Sequence, residues 1–258
     1  MNNMKQQIED LIDQFIADFS TRGQTRWGKP LIGYARADDP LFISLKDYIS
    51  PTHALPRDFL DSAETVICYF LPFTEAVINS NKTGRYSSKL WGVAYIETNR
   101  LINKMNEFLK DRLISSGYKA AFVPATHNFN KEKLISDWSH RSAAYIAGLG
   151  TFGLNHMLIT ANGCCGRVGS IITSLKVEPT RRYDRELCLH KINGSCGRCV
   201  KKCVNNALAV DGLDRHRCYQ MLLENGERLR NLGDLADVCG KCLVEVPCST
   251  GIPLVEEG

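Results

Sequence analysis

Cysteine placement constrains this chain more than any other feature of it. Of eleven cysteines in 258 residues, eight lie at or beyond Cys188: Cys188, Cys196, Cys199, Cys203, Cys218, Cys239, Cys242 and Cys248. Only Cys68, Cys164 and Cys165 precede them. Such segregation marks a small C-terminal module with chemistry of its own. The opening MNNMKQQIEDLIDQF has no apolar core of signal-peptide type, and no apolar run approaches the length of a bilayer span. A cytoplasmic, membrane-free protein is therefore expected, in which thiols stay reduced and serve as ligands rather than disulfides.

The spacing narrows the chemistry. A two-cluster ferredoxin run reads C-x2-C-x2-C-x3-C-P, with its fourth cysteine ligating the other cluster, and tight loops aim backbone amides at the sulfurs. Here Cys196-Gly-Arg-Cys199-Val-Lys-Lys-Cys203 supplies three of the four cysteines. Asn193 stands at the first position and Val204 replaces the proline, so Cys188 is the natural substitute ligand. Downstream come Cys218, then Cys239-Gly-Lys-Cys242, then Cys248. Eight cysteines suit two 4Fe–4S clusters. The crossover rule assigns Cys188, Cys196, Cys199 and Cys248 to one, and Cys203, Cys218, Cys239 and Cys242 to the other. Structural zinc also uses C-x2-C pairs, but Cys199 and Cys239 lie too far apart in the chain for a compact zinc ribbon.

The remainder reads as an ordinary globular core. Apolar residues make up 44% of the chain and charged residues 23%, with a formal net charge of +4, and no Lys/Arg block marks a nucleic-acid footprint. Ile8, Leu11, Ile12, Phe15 and Phe19 recur at helical spacing, which predicts an amphipathic first helix over about twenty residues. Thr21 to Arg57, rich in Pro, Gly and Asp, reads as irregular. Val66–Leu71 has the continuous apolar character of a strand buried on both faces. Leu90–Ser116 reads as a long helix, Ala120–Val123 as a short strand, Ser139–Ile146 as a helix, and Met157–Thr160 and Val168–Leu175 as strands. The alternation predicts an α/β or α+β core over residues 1–180 and the cysteine module over 181–258, with a seam at Pro179-Thr180-Arg181-Arg182.

Gly148-Leu149-Gly150-Thr151-Phe152-Gly153 satisfies G-x-G-x-x-G, but it follows a helix and leads into a strand, the reverse of a dinucleotide fingerprint. A different likeness is present. Asp137-Trp138-Ser139-His140-Arg141 leading into Ala147-Gly148-Leu149-Gly150, followed by Leu158-Ile159-Thr160 and by Gly166-Arg167-Val168-Gly169-Ser170-Ile171-Ile172-Thr173, resembles the core of the epoxyqueuosine reductases over residues 60–250. In that family comparable landmarks precede a two-cluster ferredoxin module. The resemblance, which extends to the related reductive dehalogenases, implies a nitroreductase-like core and a ferredoxin-like module with cobalamin held between them. It implies an oxidoreductase that draws on a low-potential electron donor and passes electrons from the clusters through the corrinoid to a substrate. Full-length members carry a C-terminal helical-repeat extension that helps hold tRNA. This chain ends at Gly258, so a short, divergent relative is expected that does not hold tRNA tightly. A small molecule or a modified nucleoside is then the expected substrate.

Reduction needs a proton donor, and Asp137, His140 and Tyr145 precede the glycine run as candidates. The alternatives are plain ones: Ser139 or Asp137 caps the helix, and His140 is a satisfied surface side chain. Arg141 suits an anion clamp. Gly148, Gly150, Thr151 and Gly153 are the remaining candidate cofactor residues, the glycines because missing side chains admit a flat macrocycle. Cys164-Cys165 is either a thiol site or buried structure, the commoner fate of such cysteines. His53, His127, His156, His190 and His216 have no ligand spacing to one another. Two other functions stay open: electron transfer or corrinoid handling without a substrate, and a flavin-dependent reductase.

Overall fold

A computed structural model describes residues 2–124 and 129–254, so His127 lies outside the described residues. The core runs α1 (Asn2–Ser20), β1 (Leu31–Arg36), α2 (Pro40–Tyr48), α3 (Pro56–Phe59), β2 (Thr65–Pro72), α4 (Glu75–Ser80) and α5 (Lys89–Ser115). It continues through β3 (Ala120–Ala121), β4 (Phe129–Asn130), β5 (Ile135–Ser136), α6 (His140–Ile146), β6 (Gly150–Phe152), β7 (Leu158–Thr160) and β8 (Gly166–Thr173). Beyond it come α7 (Leu189–Asn193), α8 (Arg198–Lys202) and α9 (Arg215–Arg228), with 3-10 turns at Arg230–Leu232 and Lys241–Leu243. Among the described residues, no helix is long and apolar enough to cross a membrane.

Four strands form one antiparallel sheet in the order β1-β2-β8-β3. Every residue of β2 is buried, as its unbroken apolar run predicts. Alternation along that strand explains why: Ile67, Tyr69 and Leu71 pack with α1 and α5, while Val66, Cys68 and Phe70 pack with residues of α2 and α6. Helices thus cover both faces of the sheet, giving three layers. The mixed α/β class is as expected from the sequence.

Two segments differ from expectation. Thr21–Arg57 is not irregular: it contains β1, α2 and α3. Its Asp and Pro residues start helices. Asp39 caps α2 by accepting from Leu41 N at 3.0 Å, with Pro40 in the first turn, and Pro56 opens α3. Gly150–Phe152 is a strand rather than a loop, paired with β7. The strand expected over Ala120–Val123 shrinks to two residues, whereas α5 matches its prediction closely, with Ser88 as its cap.

The cysteine-bearing segment packs directly on the core. Phe73, Trp91 and Ile159 share one apolar cluster with Leu187, Cys188, Leu243 and Val244. The connection between α4 and α5 is the polar dock. Lys241, only 3% exposed, donates through Nζ to Asn81 O at 2.8 Å and Thr83 O at 2.7 Å. Asn81 Nδ2 and Ser87 Oγ in turn donate to Cys239 O at 2.8 and 2.9 Å.

Candidate cluster sites and their surroundings

The eight C-terminal cysteines fall into two groups of four. Cys188, Cys196, Cys199 and Cys248 line one small pocket together with Leu154 and Val246. Their thiols interact electrostatically: burial first, then Cys248, pushes Cys199 up to about 11, with Cys188 and Cys196 adding to the effect. Cys218 is likewise pushed up to about 11, by burial and then by Cys239 and Cys203. Cys242 is raised by burial and by Cys239, Cys218 and Cys203. Cys199, of the first set, also raises Cys242, so the two sets adjoin.

This donor set fits iron–sulfur clusters. Crowded buried thiols resist ionising beside one another, and cationic iron relieves that conflict by taking them as thiolates. Ala207 N donates to Cys203 Sγ at 3.2 Å, the kind of amide-to-sulfur contact that cluster loops supply. Lys241, between Cys239 and Cys242 in the chain, is buried, and its charge lies within electrostatic range of Cys239. Among the described residues, no group of three or more His, Cys, Asp or Glu side chains is placed to hold a single metal ion.

The candidate proton donors occupy different environments. Ser139 caps α6, its hydroxyl accepting from Ser142 N at 3.2 Å, so Asp137 is free of that task. Exposed Asp137 instead accepts from Thr52 Oγ1 at 2.5 Å. His140 is buried, not a surface residue, and its hydrogen bonds fix its tautomer. Pro124 O can only accept, so Nε2 carries the proton, at 3.3 Å. Nδ1 then accepts from Ser170 Oγ at 2.8 Å, and that hydroxyl accepts from Trp138 Nε1 at 3.1 Å. Burial lowers the imidazole to about 4, which makes His140 a poor proton donor at neutral pH. Tyr145 is partly exposed, its ring 5.9 Å from that of Phe152. Among the described residues Asp137, His140 and Tyr145 share no hydrogen bond.

The glycine run serves packing. A side chain at Gly148, whose φ is +76°, would meet Arg181 O at 2.8 Å; one at Gly150 would meet Ile159 O at 2.0 Å; one at Gly153 would meet Asn155 Oδ1 at 2.7 Å. Chain atoms therefore fill the space that was expected to admit a macrocycle. Thr151 Oγ1 accepts from Leu187 N at 2.9 Å, tying β6 to the start of the cysteine segment. Four of the five residues assigned to a corrinoid thus have structural tasks, and as a set they do not fit one.

Arg141 is the exception. It donates to His156 O at 2.7 Å, and it lies within electrostatic range of Arg167, Arg215, Cys218 and Cys242. Solvent reaches it, although many protein atoms surround its guanidinium. Phe129 and Tyr219 meet edge-on at 5.8 Å, bringing the β4–β5 hairpin against α9. The junction of α6, β8 and α9 is therefore cationic and adjoins the second cysteine group.

Sequence reasoning missed Lys241 and Asn155. A lysine between two ligand cysteines was the available signal for the first. Asn155 lies just past the glycine run, and its Nδ2 reaches Cys242 O at 3.4 Å and Cys164 Sγ at 3.9 Å.

No protein-family model and no curated protein matches the chain. Solved structures do. An epoxyqueuosine reductase from Bacillus subtilis, described with an aspartate-bearing catalytic loop swung out of its active site, superposes with a TM-score of 0.59 at 19% identity, over 96% of this chain and 67% of that one. An epoxyqueuosine reductase bound to an epoxyqueuosine-modified tRNA-Tyr stem loop gives 0.60 at 18% identity, over 96% and 68%. A reductive dehalogenase whose structure suggests a mechanism for B12-dependent dehalogenation gives 0.56 at 16% identity, over 87% of this chain and 30% of that one. The chain shares its fold with these enzymes, as the sequence landmarks imply.

Proposed function

We propose that this protein is an iron–sulfur reductase with a nitroreductase-like core and a two-cluster ferredoxin-like module meeting near residue 180. One 4Fe–4S cluster belongs to Cys188, Cys196, Cys199 and Cys248, the other to Cys203, Cys218, Cys239 and Cys242. The observation that supports this reading is the gathering of the eight thiols in one segment, with Cys188, Cys196, Cys199 and Cys248 lining one pocket and Cys203, Cys218, Cys239 and Cys242 within electrostatic range of one another. When bound, the clusters supply one-electron transfer. The protein's own part is to bury the thiols, to offset their charge through Lys241 and backbone amides, and to bring the second group beside the cationic junction at Arg141. That junction suits an anionic acceptor or substrate, and exposed Asp137 and Tyr145 on the same core are its candidate proton sources.

Likeness to a B12-dependent dehalogenase supports a corrinoid as the acceptor, and likeness to epoxyqueuosine reductases supports a modified nucleoside as the substrate. Against the corrinoid stands the filled glycine run, which favours a second reading: electron transfer to an external partner. An anaerobic absorption titration with cob(II)alamin separates the two. Binding at micromolar concentration or tighter supports the reductase with corrinoid. A cluster-loaded protein that binds neither corrinoid nor flavin is an electron-transfer protein.

A further inference from the structure

The vicinal thiols Cys164 and Cys165 have no part in either ligand set, yet they sit against one of them. The loop between β7 and β8 reaches out of the core, and its backbone pairs with the end of the cysteine segment: Cys164 N donates to Cys248 O at 2.9 Å and Cys165 N to Ser249 O at 3.2 Å. Both side chains are buried. Cys165 Sγ donates to Leu243 O at 3.2 Å, and Ser249 Oγ donates to the same carbonyl at 2.7 Å. Ser249 Oγ lies equally close to Val246 O, at 2.7 Å, and Leu243 O stands 4.0 Å from Cys164 Sγ. The Cys164 thiol has two acceptors in reach, Leu243 O and, slightly nearer at 3.9 Å, Cys248 Sγ. Asn155 Nδ2 approaches the Cys164 sulfur from the other side, also at 3.9 Å, so that sulfur receives one hydrogen bond and gives one.

We propose that Cys164 is a positioning and tuning residue that donates an S–H···S hydrogen bond to the Cys248 thiolate and so raises the reduction potential of the first cluster. The inference rests on the cluster assignment proposed above. A cluster-bound Cys248 sulfur has lost its proton and can only accept, which fixes the direction of the bond. Reduction adds negative charge to the cluster and its thiolates. A donor at one sulfur therefore stabilises the reduced state more than the oxidised one, and hydrogen bonds to cluster sulfurs are an established determinant of potential. Among the described residues, no hydrogen bond from this loop reaches a sulfur of the second group, so the two potentials separate.

The test is an anaerobic redox titration followed by electron paramagnetic resonance on wild type, Cys164→Ala and Cys164→Ser. Iron and sulfide are counted first on each sample. The wild-type count judges the cluster assignment; the potentials judge the role of Cys164. Removing the donor in Cys164→Ala should lower the equilibrium constant for reducing one cluster by up to about tenfold, which is 59 mV for a one-electron couple, and leave the other unmoved. Cys164→Ser keeps an O–H donor and should recover most of the shift. Unchanged potentials in a fully loaded Cys164→Ala would overturn the proposal. So would loss of one cluster from both variants, since Cys164 would then be a ligand rather than a donor.

Discussion

His140 illustrates how neighbours decide what a side chain can do. Ser170 and Pro124 occupy both ring nitrogens, and burial lowers its pKa from 6.5 to about 4. Above pH 6.5 the folded and unfolded states are both neutral and nothing is lost. Between 6.5 and 4 the unfolded chain takes up a proton that the folded one refuses, so stability falls as pH falls, by about 3 kcal/mol near pH 4. His140→Gln removes that titration. The stability gap between wild type and variant, measured by urea unfolding, should be widest at pH 7 and shrink toward pH 4.5; a constant gap would contradict the assignment. Cys188 makes a second prediction at this scale. In the proposed assignment it stands in for the cysteine missing at Asn193, and Cys188→Ala should then lose about half the iron and sulfide and keep one cluster signal. Unchanged iron would mean that another ligand serves that corner. The cysteine spacing on which the proposed ligand roles rest was legible in the sequence, because cluster chemistry dictates spacing. The burial of Lys241 was not, because only the docked α4–α5 connection creates its acceptors.

Two loops with the same pattern differ in what their glycines do. Cys196-Gly197-Arg198-Cys199 and Cys239-Gly240-Lys241-Cys242 look alike in sequence. A side chain at Gly197 would meet open space, whereas Gly240 has a φ of +72° and a side chain there would lie 2.2 Å from Trp91 Cζ2. Gly197→Ala should therefore change stability by less than about 0.5 kcal/mol. Gly240→Ala combines left-handed strain with a clash against a buried indole and should cost several-fold more, about 2 kcal/mol or above. Urea midpoints of the two variants, with iron content alongside, make the comparison. Equal effects would mean that the module does not rest on Trp91. The same contrast shows where element reading from sequence succeeds. β2 and α5 announce themselves by unbroken apolar character or long periodicity. β1 is short and carries Gly33, where a side chain would strike Ala147 O at 2.3 Å, and Asp39-Pro40 signals a helix start as readily as a turn. Those cues divide only once the sheet supplies its partners.

At the scale of the whole molecule, the cysteine segment has little core of its own. Cys199, Leu208 and Val246 form a small cluster, while the larger contact is shared with Phe73, Trp91 and Ile159 of the sheet-bearing core. Cluster assembly and docking should therefore be coupled, each stabilising the other by linkage. Cys164 and Asn155, both from the core, reach the two ligand groups across that contact. The order of landmarks along the chain made the overall fold legible, because that order belongs to the fold shared with the solved epoxyqueuosine reductases. The glycine run was misread because open space and space filled by a distant carbonyl look the same in a sequence. The central claim is that eight thiols hold two cubanes, and chemical analysis of anaerobically prepared protein tests it most directly. About eight irons and eight acid-labile sulfides per chain are expected. One or two zinc ions per chain with negligible sulfide would contradict it.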